Sequence, residues 1–103
     1  MYKLCFFVPE THLLTVKKAL FAMGAGKIGN YDSCCFEFKG QGQFRALPGA
    51  TPFIGKENII EVVEEYKVEM VVEDSLIKHA VQTLKLSHPY ETVAYDVIKL
   101  EEF

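Results

Sequence analysis

At 103 residues, 50% of them hydrophobic, the chain has the size and apolar content of one packed domain and not of a disordered segment. A net charge of -3 gives no electrostatic case for nucleic acid or an anionic membrane surface, and no apolar run approaches the ~20 residues a membrane helix needs. The three cysteines are an odd set with Cys34 and Cys35 adjacent, and no leader signature precedes them, which points to reduced thiols in the cytoplasm.

Tyr2 to Val8 alternates as a strand with two largely apolar faces, Tyr2, Leu4, Phe6 and Val8 against Lys3, Cys5 and Phe7. Pro9, Glu10 and Thr11 then start a helix. Its buried face is Leu13, Val16, Ala19, Leu20 and Met23, and Gly24 ends it. Glycines 24, 26 and 29 spell G-x-G-x-x-G, the fingerprint of dinucleotide binding. That motif cradles phosphate only where it leaves a strand and opens a helix. Here a helix runs into it and a strand leaves it, so a helix C-terminus would repel the phosphate. A glycine cap and loop is the better reading.

Tyr31 to Lys39 is strand-like and aromatic. Gly40-Gln41-Gly42 reads as a turn, and Gln43 to Leu47 as the returning strand of a hairpin. Pro48 to Gly55 is a loop in which Phe53 and Ile54 anchor to the body. From Ile60 to Val72 the even positions are apolar except for Glu64, while the odd ones are mostly charged. This is one long strand. At ~3.3 Å per residue it spans about 43 Å, too long for a domain of radius of gyration ~13 Å unless it bends, bulges or projects. Asp74 or Ser75 caps a second helix with Leu76, Ile77, Ala80, Val81 and Leu84 inside. Pro89 stops it, and Val93 to Leu100 is the last strand.

Residues 1–103 thus read as a single α+β domain, a ferredoxin-like (βαβ-βαβ) sandwich. Its antiparallel sheet carries two helices on one face, plus the hairpin. The other sheet face is left bare and partly apolar. Self-association as a dimer or trimer, through that face and the unpaired edge of strand 60–72, is the expected consequence.

The blocks VPETH…GAGKIGNYDSCCF, GATPFIG and HPYETVAYDV resemble the domain inserted in the Nif-three-like (YqfO) family of dinuclear-metal-centre proteins. That inserted domain is similar in fold to the nitrogen-regulatory PII and CutA divalent-ion-tolerance proteins. The resemblance implies a PII/CutA-like, ligand-sensing module living alone. It does not carry over the metal centre of full-length members, which sits on a surrounding body, nor their hydrolase annotations.

Among candidate residues, His88 and Glu91 of His88-Pro89-Tyr90-Glu91 form a partial ligand set for zinc or copper. The competing reading is a proline helix stop, with His88 at the negative helix end and Tyr90 packed. Asn30, Tyr31 and Asp32 either line a ligand cleft with Phe53 of the PFIG loop or are turn chemistry. Asn30 suits a left-handed backbone and Asp32 accepts a hydrogen bond within the turn. Cys34 and Cys35 lack a cationic neighbour and a C-x-x-C spacing, so buried apolar cysteine is preferred to a redox or ligand role. His12 and His79 read as solvated. No nucleophile–base motif is present, which favours a non-catalytic role. No resident cofactor is implied, with a small ligand or divalent metal as the open alternative.

Overall fold

The computed structural model describes residues 1–103. Strand β1 is Tyr2–Val8, helix α1 Glu10–Ala22, β2 Phe36–Arg45 and β3 Ile60–Val72. A 3-10 turn at Asp74–Leu76 leads into α2 at Ile77–Ser87, and β4 is Tyr95–Lys99. The sheet order is β2-β3-β1-β4, every neighbouring pair antiparallel. This is the α+β, ferredoxin-like arrangement that the order of elements predicts.

Alternation along the strands decides which side meets the helices. Leu4, Phe6 and Val8 of β1 and Val68, Met70 and Val72 of β3 point one way. They pack in one core with Leu13, Val16 and Leu20 of α1 and Ala80 and Leu84 of α2. Fully burying such side chains stabilises the fold by roughly 1.5–3 kcal/mol each before entropy is counted. On the opposite side of β1, Cys5 is buried and Phe7 half-buried, so the central strand is apolar on both faces as its sequence requires.

Helix α1 ends as its glycine predicts. Gly24 has φ +110°, its N–H bonds the Phe21 carbonyl, and the Ala25 N–H bonds that of Leu20, which together make a Schellman cap. Gly26 then donates to the Val71 carbonyl across 2.8 Å, fastening the loop to the end of β3. The G-x-G-x-x-G pattern is therefore a stop and a return to the sheet.

Four local expectations are corrected. Gly40-Gln41-Gly42 is not a turn: β2 runs straight through it, in register with Glu65, Glu64 and Val63 of β3. Neither glycine has a positive φ, and a Cβ at Gly42 would meet Oε1 of Glu65 at 1.8 Å, so that glycine makes room within a strand. The chain reverses instead between β2 and β3, in the loop at 46–59 where Gly49 and Gly55 have positive φ. Strand β2 also begins later than Tyr31, because Ile28 and Tyr31 exchange both backbone hydrogen bonds around Gly29-Asn30. Gly29 and Ser33 take the left-handed conformations there, and Asn30 does not. Finally, α2 has no side-chain cap. Asp74 instead pairs with Lys99 Nζ at 2.8 Å and with the amino group of Met1.

The length of β3 is resolved by projection. Tyr66–Glu69 lies between β1 and β2, Met70–Val72 pairs with β1 alone, and Ile60–Glu65 pairs with β2 alone. The two strands form an arm that extends the molecule to 46 × 25 × 23 Å. On the arm the helices no longer cover the sheet, and Ile60 and Val62 are exposed. No helix is long and apolar enough to cross a membrane.

Candidate functional site

The face of the sheet away from the helices carries Lys3, Cys5 and Phe7 from β1 and the odd-numbered residues of β3. Strand β2 adds Phe36, Phe38, Gly40, Gly42 and Phe44, and β4 adds Asp96 and Ile98. One end of this face is not bare. The loop after β2 and the segment between α2 and β4 close over it, leaving a cavity of about 510 Å³. Its floor is Phe7, Gly42, Phe44 and Glu65, and its walls include Phe53, Tyr90 and Glu91. That volume lies within the ~300–1,000 Å³ common for small-molecule sites.

Tyr90 is the hub of the walls. Its ring lies 4.8 Å from the His88 ring, 6.2 Å from Phe53 and 6.4 Å from Phe44, and His12 meets Phe53 edge-on at 5.5 Å. The Tyr90 hydroxyl is buried without a hydrogen-bond partner. Burial, reinforced by the neighbouring Glu65 carboxylate, pushes its phenol up to about 12. Glu65 reaches this place because Gly42, on the adjacent strand, has no Cβ to obstruct it. Glu91 fixes the loop: its Oε2 accepts the Thr51 N–H at 2.5 Å.

His88 stands behind the cavity. It is buried, and both ring nitrogens are committed: Nδ1 accepts the Tyr90 N–H at 3.1 Å, so Nε2 carries the hydrogen and donates to the Phe7 carbonyl at 2.7 Å. Burial holds its pKa below the usual value against the opposing pull of the Phe7 bond, with His12 lowering it further. A neutral, doubly bonded imidazole has no lone pair free for a cation. No group of three or more His, Cys, Asp or Glu side chains is placed to hold a metal ion. His88 and Glu91 thus serve different hydrogen bonds rather than one coordination sphere.

The structure brings Phe53, His88, Tyr90 and Glu91 together. It does not bring Asn30, Tyr31 and Asp32 to them. Those three follow the Gly26–Val71 bond, at the Lys3 end of β1, whereas His88 is bonded at the Phe7 end. Asp32 contributes its backbone carbonyl there, facing Cys34 Sγ at 3.5 Å. Cys34 and Cys35 are free, half-buried thiols at the same end, beside a smaller hollow of about 260 Å³. His79 is exposed, but His12 is half-buried against Phe53 and belongs to the aromatic cluster. Sequence reasoning missed Glu65, Gly42 and Phe44. Their only signal was glycine spacing within an aromatic strand, and its meaning depends on a strand register that pattern alone does not give.

No family model matches the chain. Curated relatives do. The chain is 47% identical over 100 residues to a GTP cyclohydrolase 1 type 2 homologue of Halalkalibacterium halodurans, covering 97% of this chain and 27% of that protein. It is 42% identical to the protein of the same name in Bacillus subtilis, with the same coverage of each. The chain therefore spans about a quarter of the length of the curated relatives it matches. Among solved structures, a Bacillus cereus protein related to NIF3 superposes with TM-score 0.84 at 40% identity, covering 98% of this chain and 26% of that one. The periplasmic divalent cation tolerance protein CutA of Archaeoglobus fulgidus superposes with TM-score 0.71 at 17% identity, covering 100% and 87%. The chain is the counterpart of one segment of the NIF3-related proteins, and its fold is that of CutA.

Proposed function

We propose that this relative of the NIF3-related proteins is a non-catalytic, self-associating regulatory or ligand-sensing module of the PII/CutA-like kind, folded as one domain. A single observation carries the reading: a preformed apolar cavity sits at one end of a sheet face whose other end leaves aromatic side chains in water. Phe36 is 67% exposed and Phe38 48%. Large apolar surface of this kind marks an interaction site. A second copy, as a dimer or trimer, covers it together with the projecting arm of β3. A ligand in the cavity would then touch strands that also form the interface, so binding and assembly would be coupled through Phe44 and Glu65 of the same arm.

The names of the CutA neighbours suggest a divalent-cation role, and those of the curated relatives suggest hydrolase chemistry. Neither gains support from the site. His88 has no free nitrogen for a cation, and the only groups in the cavity lining that could act as nucleophile or base are Thr92, Tyr90 and the carboxylates Glu65 and Glu91, with no second base or metal site beside them. Sedimentation equilibrium at micromolar to high-micromolar protein tests the proposal. Dimer or trimer is expected, and a monomer throughout that range overturns self-association.

A further inference from the structure

The polar chemistry of the cavity is one-sided. Its lining includes two carboxylates, Glu65 and Glu91, and no lysine, arginine or histidine. Glu91 is already occupied by the Thr51 N–H, whereas Glu65 makes no ion pair. Beside Glu65 lies the Tyr90 hydroxyl, buried and unpartnered. A buried polar atom without a partner is destabilising unless something supplies one. The remaining surface is apolar and aromatic, with Phe7, Phe44 and Phe53 around the same space.

We propose that this cavity binds a small organic cation, a primary ammonium carried on an apolar or aromatic body. Glu65 receives the ammonium, which also donates to the oxygen of Tyr90, and the body lies among Phe7, Phe44 and Phe53. The ammonium has three donors and no acceptor, so it matches a carboxylate beside a hydroxyl oxygen. The aromatic rings add cation–π attraction in a partly desolvated space. The same lining disfavours phosphate-bearing ligands, nucleotides included, because two carboxylates and no base face them. Gly42 is the specificity-determining backbone position, since it alone lets the Glu65 side chain lie across β2.

This inference rests on the ligand-sensing reading and specifies the chemistry of its site. Its test is a backbone amide NMR titration of the full chain with 2-phenylethylammonium, 2-phenylethanol and 3-phenylpropanoate, which share a body and differ in the head. The ammonium is expected to shift the amides of Gly42, Thr51 and Glu91 and to bind at least about tenfold more tightly than the alcohol, as a charge-assisted hydrogen bond implies. Glu65→Gln should abolish that preference while leaving amides distant from the cavity unmoved, which controls for folding. Equal or tighter binding of the alcohol or the carboxylate overturns the cation assignment while leaving a ligand cavity in place. Binding of none of the three at the cavity overturns the site itself, and sedimentation reads self-association separately. An unchanged ammonium preference in Glu65→Gln removes Glu65 from the role.

Discussion

His88 Nε2 and the Phe7 carbonyl oxygen lie 2.7 Å apart, and that bond fastens the end of α2 to the end of β1. Its geometry requires the neutral ring, because Nδ1 must keep a lone pair for the Tyr90 N–H. Protonation would set two donors against each other at Nδ1. The pKa of His88 is accordingly held below the usual 6.5, mainly by burial. A lowered histidine pKa means that the unfolded chain binds the proton first. This contribution to stability is therefore complete above 6.5 and is lost as the pH falls through the lower, folded value. Urea unfolding at pH 8 and pH 5 should show that loss in the wild type. His88→Ala should cost about 1–3 kcal/mol at pH 8, for two backbone groups left unpaired, and should show a shallower decline between the two pH values. An equal decline in both proteins would place the titration elsewhere.

Gly26 and Gly29 separate the structural from the functional meaning of the glycine-rich motif. Both have positive φ, but a Cβ at Gly26 would lie 2.7 Å from the Cys34 carbonyl oxygen and 2.8 Å from the Phe21 ring, while at Gly29 nothing lies within 4 Å. Gly29→Ala should therefore cost only the left-handed backbone penalty, ~1–2 kcal/mol. Gly26→Ala adds a collision with backbone and core and should cost more than ~3 kcal/mol in thermal or urea unfolding. Equal costs would show that the close approach is absent.

The buried hydroxyl of Tyr90 lends itself to a direct measurement. Removing a polar atom that has no partner removes a desolvation penalty and breaks no bond. Tyr90→Phe should therefore be neutral or stabilising by up to ~1 kcal/mol in urea unfolding of the ligand-free protein. A loss of more than 1 kcal/mol would mean that the hydroxyl is held, with Glu65 the nearest acceptor. The same variant should weaken binding of 2-phenylethylammonium, so stability and affinity move in opposite directions, as expected where a site is organised for a ligand at some cost in stability.

What the sequence made legible follows the range of the interactions concerned. The helices, the 60–72 strand and the Gly24 stop are set by local periodicity and by one glycine, so they could be read directly. The Gly40–Gly42 turn could not, because glycine signals a bend and a close approach equally well, and only the register that lays the Glu65 side chain over Gly42 distinguishes them. The site divides along the same line. His88, Tyr90 and Glu91 are neighbours in sequence and met in space, and Phe53 joined them through its loop. Asn30, Tyr31 and Asp32 were separated from them by the length of β1, a distance that no spacing in the sequence encodes.

The proposed self-association singles out two residues on the sheet. Phe36 and Phe38 lie on β2 with ring centroids 6.2 Å apart, both on the face away from the helices, and Lys67 Nζ sits 5.8 Å from the Phe38 ring. Neither phenylalanine belongs to the core shared with α1 and α2, so the monomer fold depends little on either. Replacing both, Phe36→Ser with Phe38→Ser, should leave the circular dichroism and the unfolding of the monomer within about 1 kcal/mol, since exposed positions cost little. The sedimentation mass of the assembly should fall to that of one chain, because losing two aromatic anchors from an interface typically costs ~2 kcal/mol or more apiece. An unchanged mass would move the contact to the arm, where Ile60→Ser with Val62→Ser would then disrupt it. An unchanged mass in both double variants would separate assembly from the sheet face altogether.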